Sequence, residues 1–171
     1  MVAISYILCY TGIKYCPLYW SIADESVSIC TFFGHRDAPS EIEPLIKIAI
    51  SNLIDAHNVS EFLVGNNGSF DLMVIRCLKK LIPLYPHIKV KIVLAYIPTE
   101  DKNFPFDTLY PEGLELSPKK FAISKRNYWM LNKAAHVITF VSKPYGGAAK
   151  FSAIAVQKRK NVINLYNIYL K

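Results

Sequence analysis

The run Phe62-Leu63-Val64-Gly65-Asn66-Asn67-Gly68-Ser69-Phe70-Asp71 closes a short apolar stretch with two glycines and passes at once into an amphipathic helical pattern. That is the order of a strand, a tight turn and a helix with an open start. The first turn of a helix leaves N–H groups unpaired at the positive end of its dipole, which suits an anion such as a phosphate. Glycines there let a ligand approach the backbone. Phe33-Gly34-His35-Arg36-Asp37 and Pro144-Tyr145-Gly146-Gly147-Ala148 repeat the arrangement, so three such turns stand in one small chain. Together they predict a cleft for a phosphorylated ligand.

The side chains beside these turns have matching chemistry. Arg36 directly follows an apolar run, and an arginine fork holds a phosphate through two hydrogen bonds; the plain alternative is an exposed loop arginine. His35 donates to the same anion, moves a proton, or simply braces the turn. Asp71 falls in the first turn of its helix, where a carboxylate complements the dipole and is favoured in its ionised form; it also has the chemistry to accept a ribose hydroxyl. Arg126 and Asn127 interrupt an apolar face marked by Ala122, Ile123, Trp129, Met130 and Ala134. Buried polar groups need partners, so they either pair internally, with Asp71 or Asp37, or line the cleft. Tyr110, Glu112 and Tyr145 are candidates to cover a sugar or stack on a base, with surface packing as the alternative. The glycines match neither G-x-G-x-x-G nor the phosphate loop of ATPases, which argues against a conventional NAD or ATP site.

Elements to position these residues are legible from Ser26 onward. Val27 to Phe33 reads as a buried strand, followed by a helix from Ser40 to His57 that Ser40 and Glu43 would open as a capping box. Glu61 to Val64 is a second strand, Ser69 to Leu84 a second helix and Val90 to Ile97 a third strand. A connection from Pro98 to Pro118 then reads as a loop, and Ser117-Pro118 as the cap of a helix to Ala135. His136 to Val141, a helix from Gly147 to Lys158, and Asn161 to Leu165 complete the alternation. The expected fold class is α/β: a single Rossmann-like domain, a parallel sheet of about five strands ordered 3-2-1-4-5, with helices on both faces. Ligands bind such sheets beyond the strands' carboxyl ends where strand order reverses, and all three glycine turns meet there.

Composition sets outer bounds. The 171 residues are 52% apolar or aromatic, which suits one domain with a full core. Cys9, Cys16, Cys30 and Cys77 form no C-x-x-C pair and no metal spacing, so a reducing cytoplasm is the expected home and no metal or required cofactor is expected. The net charge of +7 is uneven: after Glu115 there are eleven Lys or Arg and no acid. That third would suit an anionic partner, although Lys158-Arg159-Lys160 also serves to complement a helix end. Ile4 to Trp20 is apolar but broken by Gly12, Lys14 and Pro17, which argues against a membrane span and reads as an N-terminal extension over 1–25 ahead of a domain over 26–171. Removing that extension is expected to leave a folded, more soluble domain.

Cys30-Thr31-Phe32-Phe33-Gly34-His35-Arg36, Gly65-x-x-Gly68-x-Phe70-Asp71, Tyr110-Pro111-Glu112-Gly113, Lys125-Arg126-Asn127-Tyr128-Trp129-Met130 and Gly146-Gly147-Ala148 resemble, in type and order, the YpsA-like branch of the SLOG superfamily. The resemblance spans Val27 to Tyr166 and also relates the chain to the SMF/DprA and LOG families. It implies a Rossmann-like fold and a nucleotide or nucleotide-derived ligand, often in a sensing role. The implied ligand-binding residues are Gly34, His35, Arg36, Gly65, Asn66, Gly68, Ser69, Phe70, Asp71, Glu112, Arg126, Asn127, Tyr145, Gly146 and Gly147. Some relatives bind DNA during uptake, and LOG-type enzymes split a nucleoside monophosphate into base and ribose phosphate. Those enzymes carry a threonine and a helix glutamate where this chain has Lys150 and Ala153, so the resemblance implies binding more than turnover. The alternatives are a LOG-type phosphoribohydrolase using Asp71 or Glu112, and a nucleic-acid-binding protein; oligomerisation stays open.

Overall fold

The computed structural model describes residues 27–98 and 103–170; the extension read at 1–25 lies outside them. Six strands form one sheet: β1 (Ser28–Gly34), β2 (Val59–Val64), β3 (Lys89–Val93), β4 (Asp107–Leu109), β5 (His136–Phe140) and β6 (Asn161–Asn164). Their order is β4-β3-β2-β1-β5-β6 and every neighbouring pair is parallel. The five expected strands stand in the expected order. The sixth, β4, corrects the reading of the long connection as loop throughout: three of its residues pair with β3 at the sheet edge.

The helices are α1 (Glu43–His57), led by a 3-10 turn at Ser40–Ile42, then α2 (Ser69–Leu81), α3 (Lys119–Lys133), α4 (Gly146–Gln157) and a short α5 (Tyr166–Tyr169). The central strand β1 has both faces covered, which is why it reads as an unbroken apolar run. Its Cys30 and Phe32 join the core under α1 and α2, with Phe62, Ile138 and Phe140. Phe33, one residue on, points to the opposite face and stacks on Phe151 of α4, with ring centroids 5.2 Å apart. Met130 of α3 closes over Leu63 and Val93 on that same side. Cys30 and Cys77 are buried free thiols, and burial pushes Cys77 up to about 11, so it behaves as an apolar side chain.

Two helix starts differ from the expectation. Ser40 does not cap α1; the backbone first makes a 3-10 turn and Ile42 occupies the cap position without a side-chain bond. Glu43 turns outward instead, where Arg76 and Lys80 of α2 each reach it at 2.8 Å. Ser117 does not cap α3 either, because Pro118 holds the cap position and the Ser117 hydroxyl has no partner.

At the far end of α4, Arg159 adopts a left-handed backbone with φ of 54°. Its N–H donates to Val156 at 2.9 Å and that of Lys160 to Ala155 at 3.0 Å, which closes the helix in the manner normally built on glycine. A side chain in that conformation costs roughly 1 kcal/mol. Arg159→Gly is therefore expected to stabilise the protein by about that amount, read as a higher urea midpoint. A lower midpoint would show that the Arg159 side chain contributes contacts worth more than the strain.

Candidate functional site

Because all strands run parallel, their carboxyl ends share one edge, and the chain leaves β1 and β5 in opposite directions there. A cleft of about 340 Å³ opens at that division, within the size range of small-molecule sites. The turn after β1 supplies Gly34, His35, Arg36 and Asp37; the turn after β5 supplies Lys143, Tyr145, Gly146 and Gly147. Gly65, Asn67 and Asp71 come from the β2–α2 turn, and Ile123, Arg126, Asn127 and Met130 from one side of α3.

The glycines divide into two kinds. A Cβ on Gly34 would fall on the Phe70 ring, and one on Gly65 would fall on the Arg126 guanidinium and the Asp71 carboxylate. Those positions are glycine because protein atoms already fill the space. The α2 opening is also largely closed from within. Asn67 N–H donates to Asp71 Oδ2 at 2.8 Å, and the Ser69 N–H and hydroxyl both donate to the Arg36 carbonyl. The α4 opening is different. Gly147 has nothing within 4 Å of where a Cβ would stand, and Gly146, at φ of 91°, is faced only by the His35 ring. The cap position of α4 is Tyr145, which makes no side-chain bond to the helix start. That leaves the first N–H groups of a twelve-residue helix facing the cleft.

Arg126 is 2% exposed although it lines the cleft. Its Nη1 donates to the Val93 carbonyl at 3.0 Å and its Nη2 to Asn67 Oδ1 at 3.1 Å, while Nε is buried with no partner. Asp71 lies beside it without a direct ion pair. Burial pushes the Asp71 carboxyl above the usual carboxylate range, against the pull of Arg126 and of the Asn67 N–H. This reverses the expectation from its helix position: desolvation outweighs the dipole. Arg126 stays cationic, since a guanidinium holds its proton at any ordinary pH.

His35 braces the site. Its backbone N–H donates to the Phe140 carbonyl at 3.2 Å, and its ring Nε2 lies 3.3 Å from both the backbone N–H and the carbonyl of Lys143, which ties the two turns together. Lys143 Nζ pairs with the Asp37 carboxylate across the rim. Lys143 holds Asp37 below the usual carboxylate range, and Asp37 raises Lys143 in return.

Of the residues named from sequence, Gly34, His35, Arg36, Gly65, Asp71, Arg126, Asn127, Tyr145, Gly146 and Gly147 stand on the cleft wall. Asn66, Gly68, Ser69 and Phe70 stand behind it; Gly68 packs on the Arg36 backbone and Phe70 under Gly34. Glu112 stands outside the lining, as does Lys150, whose ammonium lies 5.4 Å from the Tyr128 ring. Ala153, on α4, is exposed. Sequence reasoning passed over Asn67 and Lys143 as site residues. Lys143 follows a strand at the point where strand order reverses, which was the available signal. Among the described residues no group of three or more His, Cys, Asp or Glu is placed to hold a metal, and no helix is long and apolar enough to cross a membrane.

The sheet order and the place of the cleft define a Rossmann-like α/β protein. In structure the chain resembles DNA processing protein A (DprA) from Streptococcus pneumoniae, with a TM-score of 0.57 at 17% identity, over 79% of this chain and 49% of that one. The chain thus spans about half the length of that protein, and the likeness is one of fold. No protein-family model and no curated protein sequence matches the chain.

Proposed function

We propose that the chain is a SLOG-like module of the YpsA-like branch that binds a nucleotide or nucleotide-derived phosphorylated ligand in this cleft, as a sensor. One observation carries the reading: the open amino end of α4 faces the same cavity as Arg36, Lys143 and a buried arginine with a spare donor. The phosphate sits against Gly146, Gly147 and Ala148, with Arg36 beside it, and the exposed Tyr145 lies ready to stack on the base. The buried free thiols fit a reducing cytoplasm. A thermal-shift screen against mononucleotides, dinucleotides and cyclic nucleotides tests the reading. A raised melting temperature with at least one class supports it, and no shift with any counts against it.

Arg36 is exposed on the rim, so Arg36→Ala leaves the fold intact. It is expected to lose on the order of 1.5–3 kcal/mol of ligand binding, as for a hydrogen bond to a charged group. Calorimetry with the best ligand from the screen checks this, and unchanged affinity would remove Arg36 from the site.

A second reading is a LOG-type phosphoribohydrolase, and the raised carboxyl of Asp71 in the cleft is what favours it. Against it stand the alanine at position 153 and the absence of Glu112 from the cleft wall. We expect no appreciable release of base from nucleoside monophosphates on chromatography. Steady release that disappears in Asp71→Asn would make the protein a hydrolase. A nucleic-acid partner for the basic residues of α3 and α4 would instead give binding that weakens steeply with salt.

A further inference from the structure

The helices α3 and α4 carry no aspartate or glutamate, and the last acidic residue of the chain is Glu115. Lys125 and Lys133 stand on α3, Lys150 on α4, and Lys158-Arg159-Lys160 just past its end. No ion pair among the described residues involves any of them. Two contacts cross the seam between the helices. Lys150 Nζ lies over the Tyr128 ring, 5.4 Å from its centroid, and Lys158 Nζ donates to Asn132 Oδ1 at 3.1 Å. They set Lys150 and Lys158 along one line, about 12 Å apart at the usual rise of a helix. Facing them on α3, Phe121, Lys125, Tyr128 and Asn132 recur every three or four residues and so share one helix face. Phe121 is 49% exposed and Tyr128 36%, and the buried Phe151 braces Tyr128 with ring centroids 4.9 Å apart. The seam is a row in which aromatic rings alternate with cations, and it lies outside the cleft lining.

A single strand of nucleic acid alternates in the same way, since each nucleotide brings one phosphate and one base with a free π-face. A lysine takes the phosphate and an exposed ring takes the base. Lys150 must leave the Tyr128 ring for this. An exposed cation–π contact is worth less than a base stacked on that ring, and the ammonium gains a phosphate in exchange. A duplex keeps its bases stacked inside and leaves the rings without a partner. A lipid surface needs apolar side chains that sink into it, whereas Tyr128 is held against Phe151.

We propose that the α3–α4 seam binds single-stranded nucleic acid, with Lys125, Lys150 and Lys158 on phosphates and Tyr128 under a base. The seam is a second surface beside the cleft, and its occupancy stands or falls independently of what the cleft holds.

The test is fluorescence anisotropy of labelled oligo(dT) and oligo(U) with the wild-type protein, Lys125→Gln/Lys150→Gln/Lys158→Gln, Tyr128→Leu and Tyr128→Phe. Three phosphate contacts predict that wild-type affinity falls about twentyfold between about 50 and 200 mM salt. The triple variant is expected to lose about tenfold or more at the lower salt, together with most of the salt dependence. Tyr128→Leu should lose about fivefold or more, while Tyr128→Phe keeps the ring and most of the affinity. The three lysines are exposed and their replacement leaves the fold intact, so the charge variant decides even where Tyr128→Leu fails to fold. The proposal is overturned by no binding at the lower salt, by a triple variant that binds as tightly as the wild type, or by a folded Tyr128→Leu with unchanged affinity. Tighter capture by phosphatidylserine vesicles, or by the oligo(dA)·oligo(dT) duplex, overturns it equally and assigns the seam to that partner.

Discussion

Replacing Arg126 with methionine is expected to lower stability by about 3 kcal/mol at neutral pH, the low end of the range for removing one partner of a buried charge pair. The low end applies because Arg126 and Asp71 are neighbours without a direct ion pair. Methionine matches the stem of the side chain, so the loss comes from charge and hydrogen bonds rather than from volume. The Val93 carbonyl and Asn67 Oδ1 lose their donor, and Asp71 is left buried with the Asn67 N–H alone. The deficit also depends on pH. The folded-state value of Asp71 already lies above its ordinary 3.8, and losing Arg126 raises it further. A raised carboxyl binds its proton more tightly in the folded state, so stability falls as pH rises from the unfolded value through the folded one. The cost of Arg126→Met should therefore be smallest in acid and grow towards neutral pH. Asp71→Asn in the same background should recover part of it. Urea unfolding at a series of pH values checks both, and a deficit that shrinks as pH rises would contradict the account.

Phe70→Ala is expected to cost about 3–5 kcal/mol, the usual range for truncating a buried aromatic ring. Phe70 is 1% exposed and its ring fills the space above Gly34. Gly34→Ala alone should cost about 1–3 kcal/mol, because its methyl has to displace that ring from a packed core. The two changes should not add. Once the ring is gone, the Gly34 methyl has room and recovers some of the lost contact, so the double variant should be no less stable than Phe70→Ala. Additive losses would mean that Gly34 is glycine for a reason other than the ring.

The sheet was legible because its central strands are buried on both faces and read as plain apolar runs between glycine-bearing turns. The order of β3, β2, β1, β5 and β6 followed from the alternation with helices. The strand β4 was not legible: Asp107–Leu109 is three residues long, mostly exposed, and carries no alternation to mark it. The expected capping box at Ser40 failed for a long-range reason. Glu43 had a local partner in sequence, but α2 brings Arg76 and Lys80 to it from more than thirty residues away. The same limit applies to the cleft. A glycine in sequence does not say whether its missing side chain leaves space for a ligand or for Phe70 and Arg126. Only packing separates Gly34 and Gly65, which are filled, from Gly147, which is open. Lys143 had only its place after a strand to mark it; folding alone sets it against Asp37.

Amide-resolved NMR of the labelled protein is the most direct test of whether the open start of α4 receives a phosphate. Titration with the best phosphorylated ligand from the thermal-shift screen should move the Gly146, Gly147 and Ala148 amide resonances, downfield as N–H groups gain a charged acceptor. The same ligand lacking its phosphate should leave them in place. Binding that shifts resonances elsewhere while those three amides stay still would contradict the account.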